Sequence, residues 1–427
     1  MKYPAAGIFL LCLLVFMANG RPQPEVDCVP APYTAWSLVR HASSDLQEYS
    51  QLKGYLGGTI RVRADGSWGS MYPPGSAWAA LPFVAPVAVF RESPLRSGTM
   101  LHLGKLVAAV FVAGAAGLFF LICRRLVPAA AWPATVLFAF GTCLYSVASQ
   151  ALWMHGPAVF WLCGALYFLT RSNEPSTASY LAVGFALGMA GATRPSTIFF
   201  ALATLGALAF ERRGRALIAV VTGAIPPAIA LLHDNWANFG DPIFGGYLNE
   251  NWSGSPPLWL GFSGLLLAPS RGVLVYSPAL VLGLAGAWRM LSGKEEATRR
   301  MRGLLVAWIA ASIATLLFYA RWHEWRGGWC FGPRYLCETM PVACLLFGFA
   351  YMALRRQWQR GAAVGLVALS VAVHFLGVFG HSGYVAWQNR NYLPDDGRGM
   401  FSFRDTQIEA HARALLQKIS GSEDRNR

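Results

Sequence analysis

The sequence predicts an all-α polytopic membrane protein with about eleven transmembrane helices. The amino-acid composition is the main support for this prediction. Only 13% of the 427 residues are charged, against roughly 25% in a typical soluble domain. Hydrophobic residues make up 55% of the chain, and its mean hydropathy is +0.40. This apolar content is enough for about eleven helices of ~20 residues. It excludes an ordinary soluble enzyme and a disordered chain.

The net charge of +14 comes from Lys and Arg that lie mainly in short loops between apolar runs. Such loop charges set the orientation of a membrane protein, because cytoplasmic loops are enriched in Lys and Arg. The sequence has no basic tail and no nucleic-acid-binding motif, so a nucleic-acid partner is not expected.

The first apolar run covers residues 4–20. It resembles a signal peptide in its early Lys2, but Ala18-Asn19-Gly20 lacks the small-residue pattern of a cleavage site. We favour an uncleaved first transmembrane helix. The other predicted spans are the runs at 98–123, 129–148, 156–170, 180–193, 196–210, 216–232, 273–291, 303–320, 338–354 and 361–380.

The run at 72–90 is apolar but is not counted as a span. It opens with Pro73-Pro74, and Pro82 and Pro86 would interrupt a regular transmembrane helix. With this run at the interface or re-entrant, five short loops fall inside and hold thirteen Lys and Arg against four Glu. The positive-inside rule favours this orientation, with a cytoplasmic amino end and an external carboxyl end.

We therefore predict a transmembrane domain over 1–380 and a short external tail over 381–427. The domain includes a long first external loop, 21–97, that carries interfacial helices. Within the tail, 404–418 could form an amphipathic helix. The longer loops all fall on the external face, which is where binding or chemistry is expected.

Two candidate residues lie in the first external loop. Asp27 follows the first span, and it is either the N-cap of a helix over 33–40 or a general base at the membrane surface. Tyr72 opens the string Tyr72-Pro-Pro-Gly75, which predicts a fixed turn into a helix. The amino end of that helix could hold a phosphate, or it could simply be capped.

Other external turns carry polar or aromatic residues. Trp153 and His155 suit a contact with sugar, phosphate or metal, and the alternative is a structural turn. Arg194 suits anion recognition, and the alternative is that its side chain extends to the membrane–water interface to keep its charge in water. Asp241 lies in a loop rich in Asn, Gly and Trp, a composition that suits carbohydrate binding.

Two later loops carry the arginines most readily assigned to a lipid phosphate, Arg271 and Arg334. Arg334 ends the string Gly327-Gly-Trp-Cys-Phe-Gly-Pro-Arg, which also presents Trp329 and is followed by Tyr335. An interfacial aromatic belt is the alternative for the aromatic residues. Cys28, Cys330 and Cys337 lie in or beside external loops, so one external disulfide remains open.

Several strings occur in an order that resembles the GT-C superfamily of integral membrane glycosyltransferases, near its family 39-like and aminoarabinose-transferase-like members. The strings are Asp27, Tyr72-Pro-Pro-Gly75, Leu152-Trp-Met-His155-Gly-Pro157, Thr193-Arg-Pro195, Asn238-Phe-Gly-Asp241-Pro, Pro269-Ser-Arg-Gly272 and Gly327 to Tyr335. The resemblance implies a GT-C-like fold in a bacterial-type inner or plasma membrane.

The resemblance also implies an activity: transfer of a sugar from a polyprenyl-phosphate carrier to a lipid, glycan or protein acceptor on the external face. It gives Asp27 the role of base or metal ligand. His155 stands where many relatives have a second acid, so a divalent metal ion remains an open expectation. A lipid or glycan transporter or flippase, and a non-catalytic GT-C relative, are the alternatives.

Overall fold

The computed structural model describes residues 4–52, 59–63, 65–94, 96–247, 254–293, 296–381, 387–388 and 398–420. In the predicted tail, 382–386, 389–397 and 421–427 lie outside the described residues, as does 248–253 of the loop that follows the 216–232 span. The regular secondary structure of the described residues is helical apart from one short antiparallel hairpin, β1 (Ile60–Val62) with β2 (Trp68–Ser70).

Sixteen α-helices are described. They are α1 Pro4–Met17, α2 Pro30–His41, α3 Gly75–Ala88, α4 Ser97–Leu126, α5 Ala131–Phe140, α6 His155–Thr170, α7 Thr177–Thr193, α8 Ile198–Phe210, α9 Gly214–Phe239, α10 Leu258–Leu267, α11 Val273–Tyr276, α12 Gly283–Ser292, α13 Glu296–Arg321, α14 Met340–Ala353, α15 Gln357–Phe379 and α16 Gln407–Ile419. The last of these confirms the helix expected over 404–418.

Five helical segments of the described chain are long and apolar enough to cross a membrane: Ser97–Leu126, Gly214–Phe239, Thr298–Arg321, Arg334–Ala353 and Gln357–Phe379. Seven shorter apolar segments accompany them, of which the first is Pro4–Met17. The count of eleven spans stays a prediction, since these shorter segments include α3 as well as predicted spans.

Two apolar runs that were predicted as single spans are each interrupted in the structure. The 129–148 run gives α5 and then a π-helical turn over Leu144–Ala148, separated at Gly141-Thr142. The 273–291 run is divided at Ser277-Pro278, because proline cannot donate the hydrogen bond that would continue α11.

The chain forms two compact units, and the first comprises 1–122, 148–251 and 303–311. In it α7 packs along both α6 and α9. Glycine makes the α7–α9 approach close: a Cβ at Gly184 would overlap the carbonyl of Val220, and one at Gly223 would overlap that of Leu181.

The predicted first external loop, 21–97, lies within this unit, and its helices α2 and α3 pack on each other. Their shared core includes the buried side chains of Tyr33, Trp36 and Val84. The helix α3 runs through both Pro82 and Pro86, so the expected interruption at these prolines is wrong. Its 14 residues span about 21 Å, less than the ~30 Å of a hydrocarbon core.

The second unit comprises 123–147, 252–302 and 312–427. Its helix α14 packs on α5 and α12, and α15 packs on α5 and α16. Close approaches again fall at glycine, because a Cβ at Gly286 would overlap the Leu346 carbonyl and one at Gly380 would overlap the His411 carbonyl.

Candidate functional site

A polar cavity of about 460 Å³, part of it open to solvent, lies within the first unit. The first external loop, the turn before α6 and the end of α9 contribute its walls. Its lining residues are Asp27, Ala31, Thr34, Ser44, Arg63, Ser70, Tyr72, Pro73, Pro74, Ser76, Ala77, Leu152, Met154, Asp234 and Asn238.

Asp27 and Tyr72 meet in this cavity although 45 residues separate them. The hydroxyl of Tyr72 donates a hydrogen bond of 2.8 Å to Oδ1 of Asp27. Asp27 lies in a one-turn 3-10 helix, while Val29 takes the N-cap position of α2 without a side-chain cap. The interpretation of Asp27 as an N-cap is therefore wrong, and its carboxylate faces the cavity instead.

The amino end of α3 forms another wall, because Pro73, Pro74, Ser76 and Ala77 all line the cavity. The turn from Pro-Pro-Gly into a helix is confirmed, with Pro74 at the N-cap position. The first backbone N–H groups of a helix have no intrahelical acceptor and attract anions. The Ser76 hydroxyl oxygen is buried and has no hydrogen-bond partner in the described structure.

Glycine is required at the head of α3. A Cβ on Gly75 would collide with the backbone of Thr193. The string Tyr72-Pro-Pro-Gly75 is thus explained by a fixed turn and by close packing against the end of α7.

The cavity also holds polar residues that were not among the sequence-derived candidates. Asp234 on α9 lines it together with Asn238, and their side chains hydrogen-bond to each other. Ser44 donates to Oδ1 of Asn238 at 3.4 Å. The helix α9 extends beyond the predicted 216–232 span to Phe239, so Asp234 and Asn238 lie on its last turns and not in a loop.

Arg63 is the one Lys or Arg among the residues that line the cavity. It donates from Nη2 to both the carbonyl and the hydroxyl of Ser44. Burial lowers the pKa of Arg63, while the nearby carboxylates of Asp45, Asp234 and Asp65 act to raise it. Nothing in the local sequence of the hairpin marks this arginine.

A buried lysine fixes the segment that leads from α1 to Asp27. Lys105 on α4 donates to Oδ1 of Asn19, to the carbonyl of Arg21 at 2.6 Å and to Oε1 of Gln150 at 3.1 Å. The backbone N–H of Gln23 donates to the carbonyl of Gln150 at 2.9 Å. Lys105 thus anchors the end of α1 and the turn that carries Gln150 to the helix α4.

Trp153 and His155 are buried in the turn at the head of α6, with ring centroids 6.3 Å apart. They are not among the residues described as lining the cavity, whereas their neighbours Leu152 and Met154 are. Their predicted contact with sugar stays a prediction.

Arg194 and Asp241 lie in turns of the first unit. Arg194 is buried at the end of α7, where its carbonyl accepts hydrogen bonds from the N–H and the hydroxyl of Thr197. Asp241 accepts from the N–H groups of Ile243 and Phe244 at 2.8 and 2.7 Å, so it closes the turn after α9. Neither residue is described as lining the cavity.

Arg271 belongs to the second unit and is fully buried. Its guanidinium donates to the carbonyls of Cys330 at 2.9 Å and Gly328 at 3.2 Å, and to Oε1 of Gln407 at 2.6 Å. These bonds join the Gly-rich loop to α16, which gives Arg271 a structural role that the sequence did not suggest.

Trp329, Arg334 and Tyr335 also lie in the second unit. Gly327 and Gly328 have φ of +85° and +64°, values that favour glycine. The side chain of Arg334 packs against both of them and over the ring of Tyr335. Tyr335 stacks on Tyr319 with centroids 4.4 Å apart, and Trp329 is half-buried.

The described residues do not match the ligand set of a tightly bound metal ion. No three His, Cys, Asp or Glu side chains of the described chain come close enough to share one. The cavity offers two carboxylates and one amide, with no imidazole. A metal requirement stays a prediction.

The fold is similar to that of ArnT from Cupriavidus metallidurans, whose crystal structure was determined in the apo state. The match has a TM-score of 0.55 at 13% sequence identity and covers 98% of this chain and 78% of that chain. No family model matches the chain, and no curated protein matches it by sequence. The likeness confirms the all-α, polytopic, GT-C-like fold of a membrane protein.

Proposed function

We propose that the chain is a membrane glycosyltransferase that moves a sugar from a polyprenyl-phosphate carrier to an acceptor hydroxyl on the external face of the membrane. The contact of Tyr72 with Asp27, inside a polar cavity of a GT-C-like fold, is the observation that carries the proposal. A lipid, a glycan or a protein would supply the acceptor.

Asp27 acts as the general base. Its carboxylate takes the proton of the acceptor hydroxyl, the acceptor oxygen bonds to the anomeric carbon, and the bond from that carbon to the carrier phosphate breaks. A positioned base of this kind contributes on the order of 10²–10⁴ in rate. Tyr72 holds the carboxylate in place through its 2.8 Å hydrogen bond.

The departing phosphate needs its negative charge stabilised. The amino end of α3 supplies N–H groups and the Ser76 hydroxyl, and Arg63 supplies a positive charge in the same cavity. We assign the phosphate to these groups rather than to Arg271, whose Nη1 and Nη2 atoms already donate to carbonyls and to Gln407.

The remaining polar wall suits a sugar. The carboxylate of Asp234 and the amide of Asn238 can accept and donate hydrogen bonds to neighbouring hydroxyl groups. Both side chains are half-buried, so such bonds would be only partly screened by water.

The test uses the full chain reconstituted in liposomes with a polyprenyl-phosphate donor that carries a radiolabelled sugar. Membrane lipid, glycan and protein fractions serve as acceptors. We expect labelled acceptor and free polyprenyl phosphate to form in equal amounts. Empty liposomes serve as the control.

Two outcomes would overturn the proposal. A transporter or flippase would move the donor across the bilayer with its sugar–phosphate bond intact. A non-catalytic relative would leave the donor intact on the side where it was added.

A further inference from the structure

Two cysteines of the second unit lie with their sulfur atoms in contact. Sγ of Cys337 is 3.1 Å from Sγ of Cys143, which lies 194 residues earlier in the chain. This separation is about 1 Å longer than the ~2.05 Å bond of a disulfide. We propose that Cys143 and Cys337 form a disulfide in the mature protein.

The local backbone suits a small closing movement at both positions. Cys143 lies in the break between the end of α5 at Phe140 and the π-helical turn over Leu144–Ala148. Cys337 lies in the 3-10 segment Arg334–Thr339 that precedes α14. Neither cysteine lies within a regular α-helix of several turns, so a small side-chain or backbone rotation would not disrupt long hydrogen-bond ladders.

The loop cysteine Cys330 is engaged differently. Its thiol lies 3.3 Å from the carbonyl of Gly327 and 3.4 Å from that of Gly332. These contacts hold it within the Gly-rich loop. The sequence left Cys28, Cys330 and Cys337 as candidates for an external disulfide, whereas the structure places Cys337 against a cysteine from a predicted span.

The predicted orientation puts both positions near the external face, where disulfides persist. Cys143 lies near the end of the 129–148 run, just before the external turn at 149–156, and Cys337 lies at the end of the external loop 321–337. The oxidant is the disulfide of an extracytoplasmic thiol–disulfide oxidoreductase. Each of the two thiols loses its proton, one S–S bond forms, and the oxidoreductase disulfide takes up the two electrons and two protons as a dithiol.

Burial sets when the bond can form. Cys143 and Cys337 are 1% and 0% exposed, so the oxidant must act before the second unit is fully packed. Once formed, the bond would tie the segment that carries Arg334 and Tyr335 to the end of α5. It would close a long loop of the unfolded chain, which is the case in which a disulfide restricts that chain most.

The test counts thiols in the full chain, purified from membranes in detergent and denatured with maleimide present. The sequence has eight cysteines, so one disulfide leaves six thiols before reduction and eight after it. In Cys143→Ser and in Cys337→Ser the expected count is seven both before and after reduction. Cys163→Ser serves as a matched control that loses a buried cysteine but keeps the pair, with five before reduction and seven after.

Peptide mass spectrometry of the unreduced protein locates the bond. The proposal expects a linked peptide pair that contains Cys143 and Cys337 and is lighter than the two reduced peptides by two hydrogen atoms. Eight thiols before reduction would overturn it, since the two sulfurs would then pack as thiols. A disulfide of Cys337 that still forms in Cys143→Ser would also overturn the proposal, because another cysteine would then be the partner.

Discussion

The phenol of Tyr72 offers a sharp test of how the cavity orients its base. The substitution Tyr72→Phe removes only the hydroxyl that donates to Oδ1 of Asp27 at 2.8 Å. A hydrogen bond to a charged group contributes about 1.5–3 kcal/mol. Both residues are half-buried, which favours the lower value, and about 1.4 kcal/mol corresponds to a tenfold change.

We therefore expect Tyr72→Phe to lower kcat/KM by about tenfold. The assay is the initial rate of labelled-sugar transfer from the polyprenyl-phosphate donor, measured over a range of donor concentrations. Tyr247→Phe is the matched control, because its ring packs edge-on to Tyr72 but does not belong to the described cavity lining.

A double-mutant cycle separates this role from a general effect on packing. If Tyr72 acts through Asp27, then Tyr72→Phe should have little further effect in the Asp27→Asn background. A full tenfold loss in that background would refute the reasoning. So would a wild-type rate for Tyr72→Phe alone.

Three other predictions concern the phosphate, the Gly-rich loop and the tail helix. Arg63→Gln should lower kcat/KM about 10- to 100-fold, because a charge-assisted hydrogen bond to the phosphate is lost. Arg63→Lys should retain part of the rate, and an equal loss in both variants would contradict the charge role. Arg271→Met should reduce the free energy of unfolding by roughly 3 kcal/mol or more, because buried carbonyls lose their hydrogen-bond donor. An unfolding curve in detergent measures this change. Unchanged stability with lost transfer would instead favour a phosphate role. Burial lowers the pKa of His411 to about 3, so between this value and the unfolded pKa near 6.5 only the unfolded chain binds the proton. The contribution of His411 to stability should therefore fall by about 2 kcal/mol from pH 7 to pH 5. His411→Gln should flatten that dependence, and an unchanged slope would contradict the assignment.

The sequence predicted the fold class well because membrane insertion leaves a strong signal in composition and apolar runs. It was less informative about where helices break. Pro82 and Pro86 were expected to interrupt a helix that continues through them, whereas Gly141-Thr142 and Ser277-Pro278 divide runs that looked continuous. Local packing decides these cases, and hydropathy does not record it.

Part of the site was also visible in the sequence. Asp27 and Tyr72 were both singled out, but only the folded loop shows that they share a hydrogen bond. Arg63, Ser76 and Asp234 were not singled out as site residues. Their approach to the cavity depends on how the hairpin, α3 and α9 pack, which the sequence does not record.

Arg271 is a residue whose partners the sequence could not indicate. Arg271 was assigned to phosphate because arginine in a loop beside glycine and aromatic residues commonly binds anions. In the structure its partners are the carbonyls of Gly328 and Cys330 and the amide of Gln407. The sequence could not indicate that pairing, since Gln407 lies 136 residues away in a polar tail.

The general-base role of Asp27 is the central claim, and its most direct test is transfer by Asp27→Asn. The variant keeps the size of the side chain and an oxygen that can accept from Tyr72, but it cannot take the acceptor proton. Glu25→Gln is the matched control, because it removes a neighbouring carboxylate that is not described as lining the cavity. With donor binding unchanged, we predict that Asp27→Asn lowers the transfer rate by a factor on the order of 10²–10⁴, while Glu25→Gln stays near wild type. Transfer by Asp27→Asn at the wild-type rate would contradict the account.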